Sequence, residues 1–150
     1  MSATESADLR LEPAESEAVA RDASDFARAL SDPSAQARYE QLAASAAAGV
    51  VPAQLVAALE TMLELLFEKG RPLNPAVLQS VFGKTPRGRQ KMLAARDVNE
   101  ALRALSGQRL DQLRLSAGPS RHTLVIQTDA CRLTLELDAS GARVASLEAG

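Results

Sequence analysis

The sequence predicts an α+β fold, with helices over the first two-thirds and an antiparallel β-meander at the C-terminus. Two observations carry this. Between Val50 and Leu105 large apolar residues recur at three- and four-residue spacing, the period of a helix with one buried face. Beyond Gly107 the period falls to two, the signature of strands with one wet face. A third observation, the placement of Pro and Gly, marks where each segment starts and stops.

Residues 1–17 are mostly Ser, Ala, Glu and Asp. They are expected to be disordered, because they bury too little surface to offset their ordering entropy. From Glu17 to Leu30 the residues Val19, Phe26 and Leu30 suggest a short amphipathic helix, ended by Pro33. An Ala-rich helix over 35–48 follows, anchored by Tyr39 and Leu42 and closed by Gly49. Residues 1–48 therefore read as an acidic, Ala/Ser-rich leader, partly helical, partly disordered and loosely packed. Residues 49–150 read as a single compact α+β domain.

The body opens with Pro52, which suits a first helical turn. Leu55, Leu59, Met62, Leu63 and Leu66 then form the strongest periodic stripe in the chain. Gln54, Glu60, Glu64 and Glu68 take the opposite face, and Gly70 and Pro72 stop the helix. Asn74-Pro75 starts a short helix through Val77, Leu78, Val81 and Phe82 to Gly83. Thr85-Pro86 repeats that start signal for a third helix to about Leu105, with Met92, Ala95, Val98, Leu102 and Leu105 as its buried stripe. Gly88 weakens its first turns. Leu110, Leu113 and Leu115 lead into a turn at 116–119. Strands are expected over His122–Thr128, over Cys131–Asp138 and from Val144 to Leu147.

Composition bounds the chemistry. The chain has one His, one Cys, one Tyr, three Phe and no Trp in 150 residues, so its core must be aliphatic. A single cysteine makes no internal disulfide. No apolar run reaches the roughly 20 residues of a membrane span, and the N-terminus lacks the pattern of a secretory signal. A cytoplasmic location is the expectation. The net charge of −2 divides into −5 over residues 1–47 and +3 over 48–150.

Few residues offer catalysis. His122 at the start of a strand lacks a partner, because neighbouring Thr123 points to the other face. Cys131 shares its face with Leu133, Leu135 and Leu137 and reads as a buried structural thiol. Glu60, Glu64 and Glu68 lie on one helical face, but nothing completes a metal or acid–base site, so they read as a solvated acidic face. No catalytic residue, metal ligand or cofactor is expected, and the chain reads as a non-enzyme. The sharpest local feature is basic: Lys84, Arg87, Arg89, Lys91 and Arg96 occupy thirteen residues with no acidic residue between them. Such clusters attract phosphate, and a helix N-terminus at Pro86 would add its positive end and free amides. The spacing is not that of a phosphate-binding loop.

The stretch from Leu65 to Leu78, LLFEKGRPLNPAVL, resembles the opening of winged helix-turn-helix domains, including those of chromosome-segregation and transcription-regulator families. The element order agrees: helix, short helix, glycine-containing turn, longer helix, β-hairpin. The resemblance implies that the helix after Pro86 is a recognition helix, with Arg87, Arg89 and Lys91 facing phosphates or bases.

Three functional expectations follow. The first is a non-enzymatic adaptor, assembly or regulatory factor that binds another protein, or a second copy of itself through the edge of the meander. The second is a winged-helix-like DNA-binding regulator using residues 84–96. The third is a secretion-system component or substrate, because the Ser-rich, lysine-free leader could thread a narrow channel. None of the three calls on a membrane or a small-molecule substrate.

Overall fold

The computed structural model describes residues 7–70 and 72–149. Its element order among these is β1 (Leu9–Arg10), α1 (Pro13–Ala29), α2 (Pro33–Ala47), β2 (Val50–Val51), α3 (Ala53–Lys69), α4 (Pro75–Lys84), α5 (Pro86–Ala104), β3 (Leu110–Ala117), β4 (His122–Thr128), β5 (Cys131–Asp138) and β6 (Gly141–Ala149). The α+β class and the C-terminal antiparallel sheet stand as expected.

The division of the chain does not fall at residue 48. Two compact units form, one up to Arg89 and the other from Gln90 onward. The expected loose leader is instead half of the first unit's core. Part of the expected disorder, over residues 1–6, lies outside the described residues. From Leu9 onward the segment is built in. Ala18, Val19, Ala23 and Ala27 of α1 and Tyr39, Leu42, Ala43 and Ala46 of α2 are buried in one cluster with Leu55, Leu59, Met62 and Leu63 of α3. Few large side chains were needed. Alanine-rich faces let helices approach closely, and burial then comes from contact along the whole helix rather than from a few anchors.

The entries into α1, α2 and α3 are each fastened. Glu12 and Glu15 form a capping box at the start of α1, with the Glu12 N–H donating to Glu15 Oε1 at 2.8 Å. Asp32 caps α2 by accepting from the Ala35 N–H. The edge of the Phe26 ring meets Tyr39 at a centroid distance of 4.6 Å across the helical hairpin. Gly49, at φ +89°, turns the chain out of α2, and its carbonyl accepts from Leu11 N–H. β1 then pairs with β2, Leu9 opposite Val51. Beside that ribbon, Asp8 Oδ1 accepts from the Ala53 N–H at 2.9 Å and so caps α3 from 45 residues away.

The second unit comprises α5 from Gln90 and a sheet of strand order β3-β4-β5-β6, antiparallel throughout. One face of the sheet carries α5. Val98 and Ala101 are buried there against Leu133 and Leu135, with Leu105, Leu124, Ile126, Ala142 and Val144 packed around them. Both edge strands carry a bulge: Asp111 is the extra residue in β3 and Ala145 in β6. The β3 bulge explains a spacing that strict alternation does not. Leu110 pairs with Thr128, Leu113 with Ile126 and Leu115 with Leu124, so all three leucines share the face that bears α5. Thr128 is buried at the β4–β5 turn. Its hydroxyl accepts from the Cys131 N–H at 2.9 Å and donates to Gln108 Oε1 at 2.5 Å, fixing the start of the sheet.

Candidate interaction surfaces

The basic segment is the first candidate, and the structure takes its five residues apart. Lys84, at the end of α4, points Nζ at the buried Glu15 carboxylate, 2.5 Å from Oε1. Ser80 Oγ donates to the other oxygen of Glu15 at 3.1 Å. Arg87 Nη1 lies 2.9 Å from Glu64 Oε1 and its Nε 3.7 Å from Glu60 Oε1. Glu64 above all, with Glu60, strengthens the proton affinity of the Arg87 guanidinium, so its charge is held as a structural pair. Arg89 is exposed and has no ion-pair partner among the described residues. Lys91 is half-buried, and its stem passes near Gly141. Arg96 pairs with Glu100 at 3.6 Å on the exposed side of α5.

The expected free amides at Pro86 are also occupied. Thr85 is fully buried, and its hydroxyl accepts from the Gly88 N–H at 3.1 Å. Glu60 Oε2 accepts from the Arg87 N–H at 2.6 Å. Pro86 has no N–H, and Arg89 N–H already reaches the Thr85 carbonyl. The first turn of α5 thus has no donor left for an external anion. This corrects the reading of Glu60, Glu64 and Glu68 as a solvated face. Only Glu68 is exposed, whereas Glu60 is 4% exposed and acts as a carboxylate cap on another helix. The spacing of the three glutamates showed a shared face. Which cation lay opposite was a matter of tertiary contact. Glu60→Ala is expected to cost about 1–2 kcal/mol, because it strands the Arg87 N–H and one side of its guanidinium. Glu60→Gln, which keeps an accepting oxygen, should recover part of that in urea denaturation.

The lone histidine and cysteine lie at opposite ends of the β4–β5 pair. His122 is exposed at the head of β4, opposite Ala117 and Leu137. Cys131 is half-buried rather than buried, with its Sγ 3.7 Å from Gln108 Nε2. Among the described residues no group of three His, Cys, Asp or Glu comes together as metal ligands would. None of their helices is long and apolar enough to cross a membrane.

The second candidate lies at the edge of the meander, where the sequence suggested pairing, but its apolar face was not anticipated. The stripe of α5 is turned from its expected position: Val98 and Ala101 are its buried residues, while Met92 is 61% exposed and Leu102 lies at the surface with Leu93. A single helix is too narrow to cover four strands, since a helix spans about 10 Å and strands sit about 4.8 Å apart. α5 seats on the β4–β6 side, and β3 is left bare. Leu110, Leu113 and Leu115 are 56%, 60% and 62% exposed. Between α5 and the sheet runs a groove of about 490 Å³, lined by Leu102, Leu105 and Ile126 with Asn99, Arg103 and Ser106 at its rim. Leucine burial is worth roughly 1.5–3 kcal/mol per side chain, so these exposed leucines forgo a gain that a monomer ordinarily takes. The sequence did show Leu110, Leu113 and Leu115. Only the register and the seat of α5 reveal that nothing covers them.

No protein-family model matches the chain, and no match was found among curated proteins or solved structures.

Proposed function

We propose that this chain is a non-enzymatic adaptor or assembly protein whose contact surface is the β3 side of its C-terminal unit. The observation that supports this best is the row of exposed leucines on β3, continuous with the groove floored by Leu102, Leu105 and Ile126. Apolar cores ringed by polar residues are the usual make-up of protein–protein contacts, and Asn99, Arg103 and Ser106 supply such a ring. The nucleic-acid reading has less support. Three of its five cations are already paired, Lys84 with Glu15, Arg87 with Glu60 and Glu64, and Arg96 with Glu100. The secretion reading rested on an unfolded leader, and α1 and α2 instead fill the core of the first unit.

The test is a triple variant, Leu102→Gln, Leu113→Thr, Leu115→Thr, compared with the parent chain. Because Leu113 and Leu115 are largely exposed and Leu102 reaches the surface, the combined change in stability should stay within about 1.5 kcal/mol. Cross-linking in the source cells, followed by mass spectrometry, should find partners of the parent that the variant loses. An identical cross-linked set for both proteins would discard this surface as the contact site.

A further inference from the structure

Resting on that contact reading, we infer that the partner is an extended segment with alternating apolar and acidic side chains, which adds to the sheet as a fifth strand along β3. β3 is an edge strand of eight residues, exposed throughout, and from Gln112 to Ala117 it runs in unbroken register with β4. Its outer row of main-chain donors and acceptors has no strand beside it among the described residues. Edge strands are commonly blunted by lysine, proline or a bulge; β3 has no lysine or proline, and its bulge at Asp111 lies before this run. A strand added here gains main-chain hydrogen bonds, and its side chains fall alternately on the two faces.

The two faces ask for different residues. On the face bearing α5, the added strand would lie beside Leu113 and Leu115, which calls for apolar side chains. On the opposite face β3 presents Gln112, Arg114 and Ser116, and the register places Arg132 of β5 on that same face. Arg114 and Arg132 line one hollow of about 310 Å³ with Val125 at its base. Other arginines of this sheet have carboxylates: Arg121 lies 3.0 Å from Glu136, and Arg143 is 2.6 Å from Asp138. Asp138 is held well below the usual carboxylate range by that Arg143 contact and by Ser140. Arg114 and Arg132 form no ion pair among the described residues; Glu148 of β6 stands opposite Arg132 on the side away from β3, and neither Gln112–Ala117 nor β4 carries a carboxylate on their face. Acidic side chains on the added strand would stand beside Arg114, with Arg132, two strands further in, adding to the positive field of the hollow.

The same charges disfavour a second copy as the occupant. In an antiparallel β3–β3 pair over Gln112–Ala117, arginine is the one charged residue that each copy's strand brings to this face. Arg114 would stand opposite its own counterpart or opposite neutral Gln112 or Ser116, with Arg132 of both chains behind. An acidic partner strand meets attraction where a second copy meets repulsion.

The experiment uses the full chain and the end-blocked heptapeptide Leu-Glu-Leu-Glu-Leu-Glu-Leu, beside its counterpart with lysine for glutamate. The acidic peptide should bind at least tenfold tighter than the basic one, and less so in high salt. It should slow hydrogen exchange at the amides of Gln112–Ala117. The double charge reversal Arg114→Glu, Arg132→Glu should invert the preference. N-methylation of alternate peptide amides, which leaves the protein unaltered, should abolish binding. Equal binding of the two peptides, insensitivity to N-methylation, protection confined to other strands, or no binding at all would each overturn strand addition. The cross-linking comparison above decides separately whether the leucine surface is a contact site, so this inference can fall while that reading stands.

Discussion

Gly88→Ala is expected to destabilise the N-terminal unit by about 3 kcal/mol or more. A Cβ at this position would sit 1.7 Å from the Phe82 carbonyl oxygen and 2.5 Å from its carbon. Both neighbours are backbone, so no rotamer change relieves the clash. Either α5 must lift off the end of α4 or the turn at Thr85 must break. That turn also holds the Thr85 and Glu60 caps, so the damage spreads beyond one contact. The measurement is convenient because Tyr39 is the only tyrosine and is buried in this unit. Its fluorescence should lose its native value at a far lower urea concentration in Gly88→Ala than in the parent. Arg89→Ala, one residue on and exposed, should move the midpoint by less than about 0.5 kcal/mol. If the two variants behave alike, the close approach of α5 to α4 is wrong.

Glu15→Ala is the second large effect, at about 2–3 kcal/mol. Glu15 is 5% exposed, and its carboxylate joins three groups: the Glu12 N–H, the Ser80 hydroxyl and Lys84 Nζ. Removing it uncaps α1 and leaves the Lys84 ammonium facing a cavity. The cost is held below that of a fully buried pair because Lys84 keeps contact with water. Burial pushes the Glu15 carboxyl upward. Lys84, the Glu12 amide and Ser80 together outweigh that, and the net shift is downward from the ordinary value of 4.5. The group is therefore more readily ionised in the folded chain than in the unfolded one. Its stabilisation is complete above pH 4.5 and is lost as the pH falls through the lowered folded value. Glu15→Gln should remove this acid-side slope from the stability profile of the N-terminal unit. A mutant profile parallel to that of the parent between pH 5 and pH 2 would show that Glu15 is not the group responsible.

The helices and strands were legible because their signals are local. Asn74-Pro75 and Thr85-Pro86 set the starts of α4 and α5, and alternation of Cys131, Leu133 and Leu135 against Arg132 and Thr134 set β5. What escaped depends on partners distant in sequence. Lys84 and Glu15 are 69 residues apart, and Arg87 and Glu60 are 27 apart. A linear reading sees a basic run and an acidic face, and the fold spends one against the other. The alanines of α1 and α2 misled for a related reason. Alanine signals helix strongly, yet its value to a core depends on how closely a neighbouring helix comes. Gly88 looked like a flaw in a helix and is instead the position at which two backbones touch. The bare leucines of β3 were visible as leucines, but their exposure follows from where α5 rests.

The clasp between Asp8 and Ala53 has a bearing on synthesis at the ribosome. A growing polypeptide leaves the exit tunnel from its first residue, so Leu9 and Asp8 emerge long before the strand and helix start they fasten. At about 5–20 residues per second, the intervening 45 residues take roughly 2–9 s to translate. The α1–α2 hairpin is itself made within that interval, and its apolar side then awaits α3. The β-meander has no such wait, since each of its strands pairs with the one made just before it.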